Sequence, residues 1–170
     1  MATTAHGDPG ESTHSVRCGA APPVVSGFSH TGVVVRDLEA MTAFYRDVMG
    51  LAVQLEEDVK GQPGAQLTGF PEGHIRVVFM GMPAKNHVLE LVEYVNPQGH
   101  DEPVSRNARG AWHLCFQVED MQATYQALLA HRVRFVNPPA RLHSEAIGPL
   151  KACYALDPEG NSLEFLQIGE

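Results

Sequence analysis

Two carboxylates sit where carboxylates are costly. Glu90 interrupts the apolar run Val88-Leu89-Glu90-Leu91-Val92, and Glu164 interrupts Leu163-Glu164-Phe165-Leu166. A lone buried charge is expensive, so such a Glu is paired, solvated on an open face, or bound to a cation. Two histidines accompany them. The segment from His30 to Leu38 matches that from His113 to Met121, and the register runs without a gap from His30/His113 to Val53/Val136. Leu89, Leu91 and Val92 match Leu163, Phe165 and Leu166 around the two Glu residues. The chain reads as one unit written twice, opening on a His-bearing strand and closing on a Glu-bearing one.

Strand parity tells which way these side chains point. His30, Gly32 and Val34 share one face, with Thr31, Val33 and Val35 on the other. His113, Cys115 and Gln117 oppose Leu114, Phe116 and Val118. Glu90 and Glu164 are opposite in parity to their Leu and Phe neighbours. The greasier parity is expected to pack on helices and the other to line a concave face where the four side chains converge. Two imidazoles and two carboxylates suit one divalent first-row ion, Zn, Ni, Co, Mn or Fe, with room for one or two waters. A structural tetrahedral zinc would usually take Cys.

The elements that must position these groups follow from local signals. Strands are expected at Phe28–Val35, Leu51–Leu55, Ile75–Met80 and Val88–Val95, then at Trp112–Val118, Val133–Val136, Leu150–Leu156 and Asn161–Gln167. Asp37 and Asp120 sit at helix N-cap positions, where a carboxylate accepts from free backbone N–H groups. Leu38, Met41, Phe44, Tyr45 and Val48 form one helical stripe, with Gly50 as the stop. Met121, Tyr125, Leu128 and Leu129 form the other, and His131, at its end, is the residue expected to tolerate positive φ. Residues 56–74 read as a polar binding loop with an apolar patch at Leu67–Phe70, and 137–149 as a loop. Asp157-Pro158-Glu159-Gly160 is a tight-turn sequence. Cys115 is expected to pack as a small apolar residue.

The predicted fold is α+β: two tandem βαβββ modules, 27–95 and 111–170, curling a mixed sheet around a metal site and joined by a linker at 96–110. Residues 1–26, rich in Ala, Thr, Ser, Gly and Pro, read as a disordered tail in which His6 and His14 lack a frame. A net charge of −8 and a pI near 5.5 argue against nucleic acid as a partner. No apolar run reaches membrane-spanning length. The first residues lack the basic start and apolar core of a secretory signal. Cys18, Cys115 and Cys153 are widely spaced. All of this fits a cytoplasmic protein with reduced thiols.

These residues resemble the vicinal oxygen chelate superfamily, the fold of glyoxalase I and bleomycin-resistance proteins. The resemblance covers 28–168. It is carried by His30-Thr-Gly-Val-Val-Val with Asp37-Leu38 and Phe44-Tyr45, by Leu89-Glu90-Leu91, by His113-Leu-Cys-Phe with Val118, and by Asp157-Pro-Glu-Gly with Leu163-Glu164. It implies paired βαβββ modules, a homodimer, and one divalent metal ion held by His30, Glu90, His113 and Glu164. Extradiol dioxygenases of the family generally lack the carboxylate at the Glu90 position, and antibiotic-sequestering members generally lack the ligand set. Glyoxalase I and related epimerases keep four positions.

The expectation is therefore an enzyme: a metal-dependent epimerase, isomerase or glyoxalase-like lyase acting on a small hydroxy-carbonyl substrate. It moves a proton next to a carbonyl through an enediolate on the metal. Glu90 or Glu164 is the base, with Glu164 preferred. His143, Glu145, Phe70 and His74 are candidate substrate-binding residues, and Arg106, Arg109, Arg141 and Lys151 are candidate partners for substrate carboxylates. One alternative is an extradiol-type Fe(II) dioxygenase, which would not need Glu90. Another is a metal-free small-molecule binding or resistance protein lined by Trp112, Phe70 and His74.

Overall fold

The structure is a computed structural model that describes residues 25–83, 87–100, 102 and 104–170. The expected tail with His6, His14 and Cys18 lies almost wholly outside the described residues. Three helices and nine strands are present among them, in the order β1 (Thr31–Val35), α1 (Leu38–Asp47), β2 (Ala52–Val59), α2 (Gly61–Thr68), β3 (His74–Gly81), β4 (Val88–Asn96), β5 (His113–Gln117), α3 (Met121–Ala130), β6 (Arg134–Phe135), β7 (Ala140–Ser144), β8 (Gly148–Leu156) and β9 (Ser162–Ile168).

The strands form two mixed sheets, β1-β4-β3-β2 and β5-β9-β8-β6, with β7 adding to β8. In each sheet the His-bearing strand runs parallel to the Glu-bearing one. The two registers are equivalent: Gly32 stands opposite Glu90, and Cys115 opposite Glu164. Thus the repeat extends to the hydrogen-bond ladder itself.

One apolar core serves both repeats. Val33, Met41, Tyr45, Leu91, Leu114, Met121, Leu163 and Phe165 are all buried within it. The expected parity of β1 and β5 holds: Val33 and Val35 are buried while Val34 is 62% exposed, and Leu114 is buried between exposed His113 and Cys115. Both caps form, with the Ala40 N–H donating to Asp37 Oδ1 and the Ala123 N–H to Asp120 Oδ1, each at 2.9 Å. The modules are clasped by the β8–β9 turn. Asp157, 1% exposed, accepts from the Tyr45 hydroxyl, and the Glu159 carboxylate accepts from the backbone N–H groups of Arg36 and Asp37.

Four local expectations are corrected. Within 56–74, β2 continues to Val59 and α2 follows it. Gly64 and Gly73 permit this helix, because a Cβ on Gly64 would lie 2.1 Å from the Gly73 carbonyl oxygen. Within 137–149 there is an edge strand, β7, which among the described residues pairs with β8 alone. The positive φ after α3 falls on Arg132 (61°), while His131 has φ −81°. His131 is the C-cap, so the left-handed residue is the next one along. In the first repeat the corresponding residue is Gly50, at φ 76°. The alignment therefore slips by one residue behind the helices: Leu51 bonds back to the Tyr45 carbonyl, Val133 to that of Leu128.

Candidate metal and active site

The four residues singled out by the repeat meet as two pairs. His30 Nε2 lies 3.4 Å from Glu90 Oε2, and His113 Nε2 lies 3.0 Å from Glu164 Oε2. Both Glu side chains are 19% exposed, whereas the imidazoles are 39% and 44% exposed. Each Glu is thus sunk in its sheet with its oxygens turned toward an accessible nitrogen. Among the described residues neither pair gains a third His, Cys, Asp or Glu donor at metal-holding distance.

The donor chemistry of each pair suits a divalent ion. Two ligands about 2.1 Å from one metal and at right angles stand about 3.0 Å apart, close to both observed separations. The Ser29 hydroxyl lies 3.1 Å from His30 Nδ1. A partner on that nitrogen fixes the ring and leaves Nε2 for the Glu side, the usual outer support of a ligating His.

Around each pair the repeat continues. Phe79 is the cross-strand neighbour of Glu90 and meets His30 edge-on at 5.4 Å; Tyr154 is the neighbour of Glu164 and meets His113 edge-on at 5.5 Å. The halves then diverge. In the first, Gly32 leaves its place empty for the carboxylate, since a Cβ there would stand 3.0 Å from Glu90 Oε2. In the second, Cys115 occupies that place and is exposed rather than packed. Partial desolvation of its sulfur, followed by the Glu164 charge, pushes the Cys115 thiol up to about 11. The Tyr154 hydroxyl is raised by desolvation, then by the Glu164 charge and by Cys115, and Arg106, with its guanidinium 6.0 Å from the ring centroid, opposes that rise. Sequence reading missed Tyr154 because it lies inside an apolar strand; its place opposite Glu164 was the available signal.

The candidate substrate residues are scattered. Phe70 is 43% exposed and stands edge-on to Tyr94, at the border of a small apolar cluster of Ile75, Val77 and Val92. That cluster shares the parity of Glu90, so Phe70 borders the open face of the first sheet. His74 instead pairs with Asp58 at 2.5 Å. His143 lies on β7 with the parity of Lys151 and Cys153, opposite to Tyr154, and Glu145 follows in an exposed turn. Neither is brought to the His113–Glu164 pair. Trp112, 40% exposed, directly precedes His113. A groove of about 460 Å³ between α1 and β2–β3 is bordered by Glu39, Arg46, Glu57 and Arg76 and contains none of the four central residues.

Fold and site together define a class built from paired βαβββ units, here with α2 added to the first and β7 to the second, and with a His–Glu pair on each. The chain belongs to the Glyoxalase/Bleomycin resistance protein/Dioxygenase superfamily, which matches residues 27–165. It is 29% identical to the mitochondrial methylmalonyl-CoA epimerase of Mus musculus over 67% of this chain and 58% of that protein. It therefore spans less than two thirds of that relative's length. It is 28% identical to an ethylmalonyl-CoA/methylmalonyl-CoA epimerase of Cereibacter sphaeroides, over 62% of this chain and 70% of that one. It is 24% identical to a lactoylglutathione lyase of Pseudomonas aeruginosa, over 82% and 81%. In fold it is similar to a glyoxalase family protein from Bacillus cereus, with a TM-score of 0.74 at 20% identity, covering 89% of this chain and 99% of that one. Among the described residues no helix is long and apolar enough to cross a membrane.

Proposed function

We propose that this chain is a metal-dependent enzyme that moves a proton at a carbon next to a carbonyl, as an epimerase, an isomerase or a glyoxalase-like lyase. The observation that carries the reading is the presence of Glu90 as well as Glu164, each facing a His at an equivalent ladder position. A dioxygenase-type set has no use for the first carboxylate. The epimerase and lyase names of the relatives agree with this reading.

Neither pair gains a third donor among the described residues, so His30, Glu90, His113 and Glu164 would hold one divalent ion only where the homodimer brings two pairs together; that ion would supply Lewis-acid polarisation of the substrate carbonyl and steady the charge formed as the α-proton leaves. Glu90 or Glu164 takes that proton. Return of the proton to the other face of the same carbon epimerises the substrate; return to the neighbouring carbon isomerises it. The apolar face bordered by Phe70 and Tyr94 excludes water from one side. A homodimer in the cytoplasm is part of the proposal.

The test is metal content of the untagged protein, with solvent deuterium uptake at the α-carbon of acyl thioesters and hydroxy-ketones. About one divalent ion per chain, weakened by Glu90→Gln and by Glu164→Gln, and deuterium uptake that needs the metal, are the expected results. Iron held undiminished by Glu90→Gln with oxygen consumption overturns the reading.

A further inference from the structure

The repeat makes the two His–Glu pairs equivalent, so departures from equivalence report how a substrate is oriented. The aromatic beside Glu90 is Phe79, which carries no polar group; the aromatic beside Glu164 is Tyr154. Above the Tyr154 ring lies the guanidinium of Arg106, supplied by the segment between the modules. Its position is set by a hydrogen-bonded turn, with the Ala108 N–H donating to the Ser105 carbonyl at 2.8 Å and the Ser105 hydroxyl to Asn107 Oδ1 at 2.7 Å. Among the described residues Arg106 takes no carboxylate partner, unlike Arg46 and Arg76, which are both ion-paired. An arginine held over an aromatic face without a carboxylate partner keeps its planar fork of donors open, the geometry that grips a carboxylate through two parallel bonds.

We infer that Arg106, carried on Tyr154, is the anion-recognition residue of this site, and that the substrate bears a carboxylate which it draws to the Glu164 half. The inference rests on the proposed proton-transfer reading. It deepens that reading by restricting the substrate to an acid-bearing carbonyl compound, oriented with its acidic group beside the second His–Glu pair. The physical need is plain: Glu90 and Glu164 repel an anionic substrate, and a cation on the same face offsets that repulsion.

The probe is malonate, with neutral malonamide as its control, titrated calorimetrically into the full chain with and without added Zn²⁺. Wild type is expected to bind malonate at least about tenfold more tightly than Arg106→Ala, a difference of about 1.4 kcal/mol, and to ignore malonamide. Arg106→Lys should fall between, because it keeps the charge and loses the fork. Arg46→Ala, an exposed change on α1 away from both His–Glu pairs, should bind as wild type does. Equal malonate affinity in wild type and Arg106→Ala, or malonamide binding as tightly as malonate, overturns the inference. Deuterium exchange separates it from the underlying reading. Exchange with unchanged KM in Arg106→Ala sinks the anion site and leaves the reaction. Arg106-dependent malonate binding with no exchange into any carbonyl substrate sinks the reaction and leaves the anion site.

Discussion

The Tyr45 hydroxyl donates to Asp157 Oδ2 at 3.1 Å, joining the helix of the first repeat to the closing turn of the second. Both residues are buried. Asp157 also accepts from the backbone N–H groups of Glu159 and Asn161 and from the Asn161 amide, so the carboxylate stays satisfied without Tyr45. Tyr45→Phe should therefore cost only the net value of one hydrogen bond to a charged group, about 1.5–3 kcal/mol. A urea titration of both proteins measures it; no loss would mean that the contact is neutral.

The same pair sets an alkaline limit. Burial, then the Asp157 charge, raises the Tyr45 phenol above its ordinary value near 10. Above that value the unfolded chain has released a proton that the folded chain retains, so stability falls as pH rises. Below it the contribution is complete. Stability of wild type should fall between pH 10 and 11.5 more steeply than that of Tyr45→Phe, as followed by circular dichroism at fixed urea.

Gly32 and Glu90 carry a prediction about the site itself. In Gly32→Ala a methyl would stand 3.0 Å from Glu90 Oε2 and turn the carboxylate away from His30. Changes next to a ligand typically cost ten- to a hundredfold in metal affinity, so a loss of about tenfold is expected with little change in melting temperature. Equilibrium dialysis against Zn²⁺ measures it. The second repeat has a Cys at this place, so Cys115→Ala should leave affinity near wild type.

Bound metal must also appear as stability. At a free ion concentration about a hundred times Kd, binding to the folded state alone adds about 2.7 kcal/mol. The melting temperature of wild type should rise on adding Zn²⁺ and fall back with a chelator. The double change Glu90→Gln/Glu164→Gln should not respond. A response of the same size in the double variant would place the ion elsewhere.

What the sequence disclosed was whatever local chemistry forces. Asp37 and Asp120 have few better roles than capping, and both cap. Alternation in β1 and β5 fixed which face holds His30 and His113, and the burial pattern agrees. What stayed hidden depends on contacts between distant residues. Glu159 looks like a turn residue, yet its carboxylate holds two backbone N–H groups over a hundred positions away. Tyr154 looks like one more apolar strand residue until Glu164 is set beside it. β7 follows two prolines and has no periodic pattern, so only its pairing with β8 reveals it.

The second helix is the clearest case. Gly61–Thr68 has two glycines and Pro63, a composition against helix. Pro63 lies in the first turn, where its missing N–H is not needed. Gly64 is buried and lets α2 lie against Gly73, and the Thr68 hydroxyl bonds the Gly64 carbonyl at 2.8 Å. In an isolated helix Gly→Ala gains up to about 1 kcal/mol. Here the new Cβ would meet the backbone carbonyl oxygen of Gly73 at 2.1 Å, and no side-chain rotation relieves that contact. Overpacking of that kind costs about 1–3 kcal/mol, so the clash outweighs the helix propensity. Gly64→Ala should lose amide protection over residues 61–70 in hydrogen exchange while β4 and β9 keep theirs. Metal affinity should survive, because none of the four central residues lies on α2. Gain of stability would instead mean that propensity governs this helix and that its seat on β3 is loose.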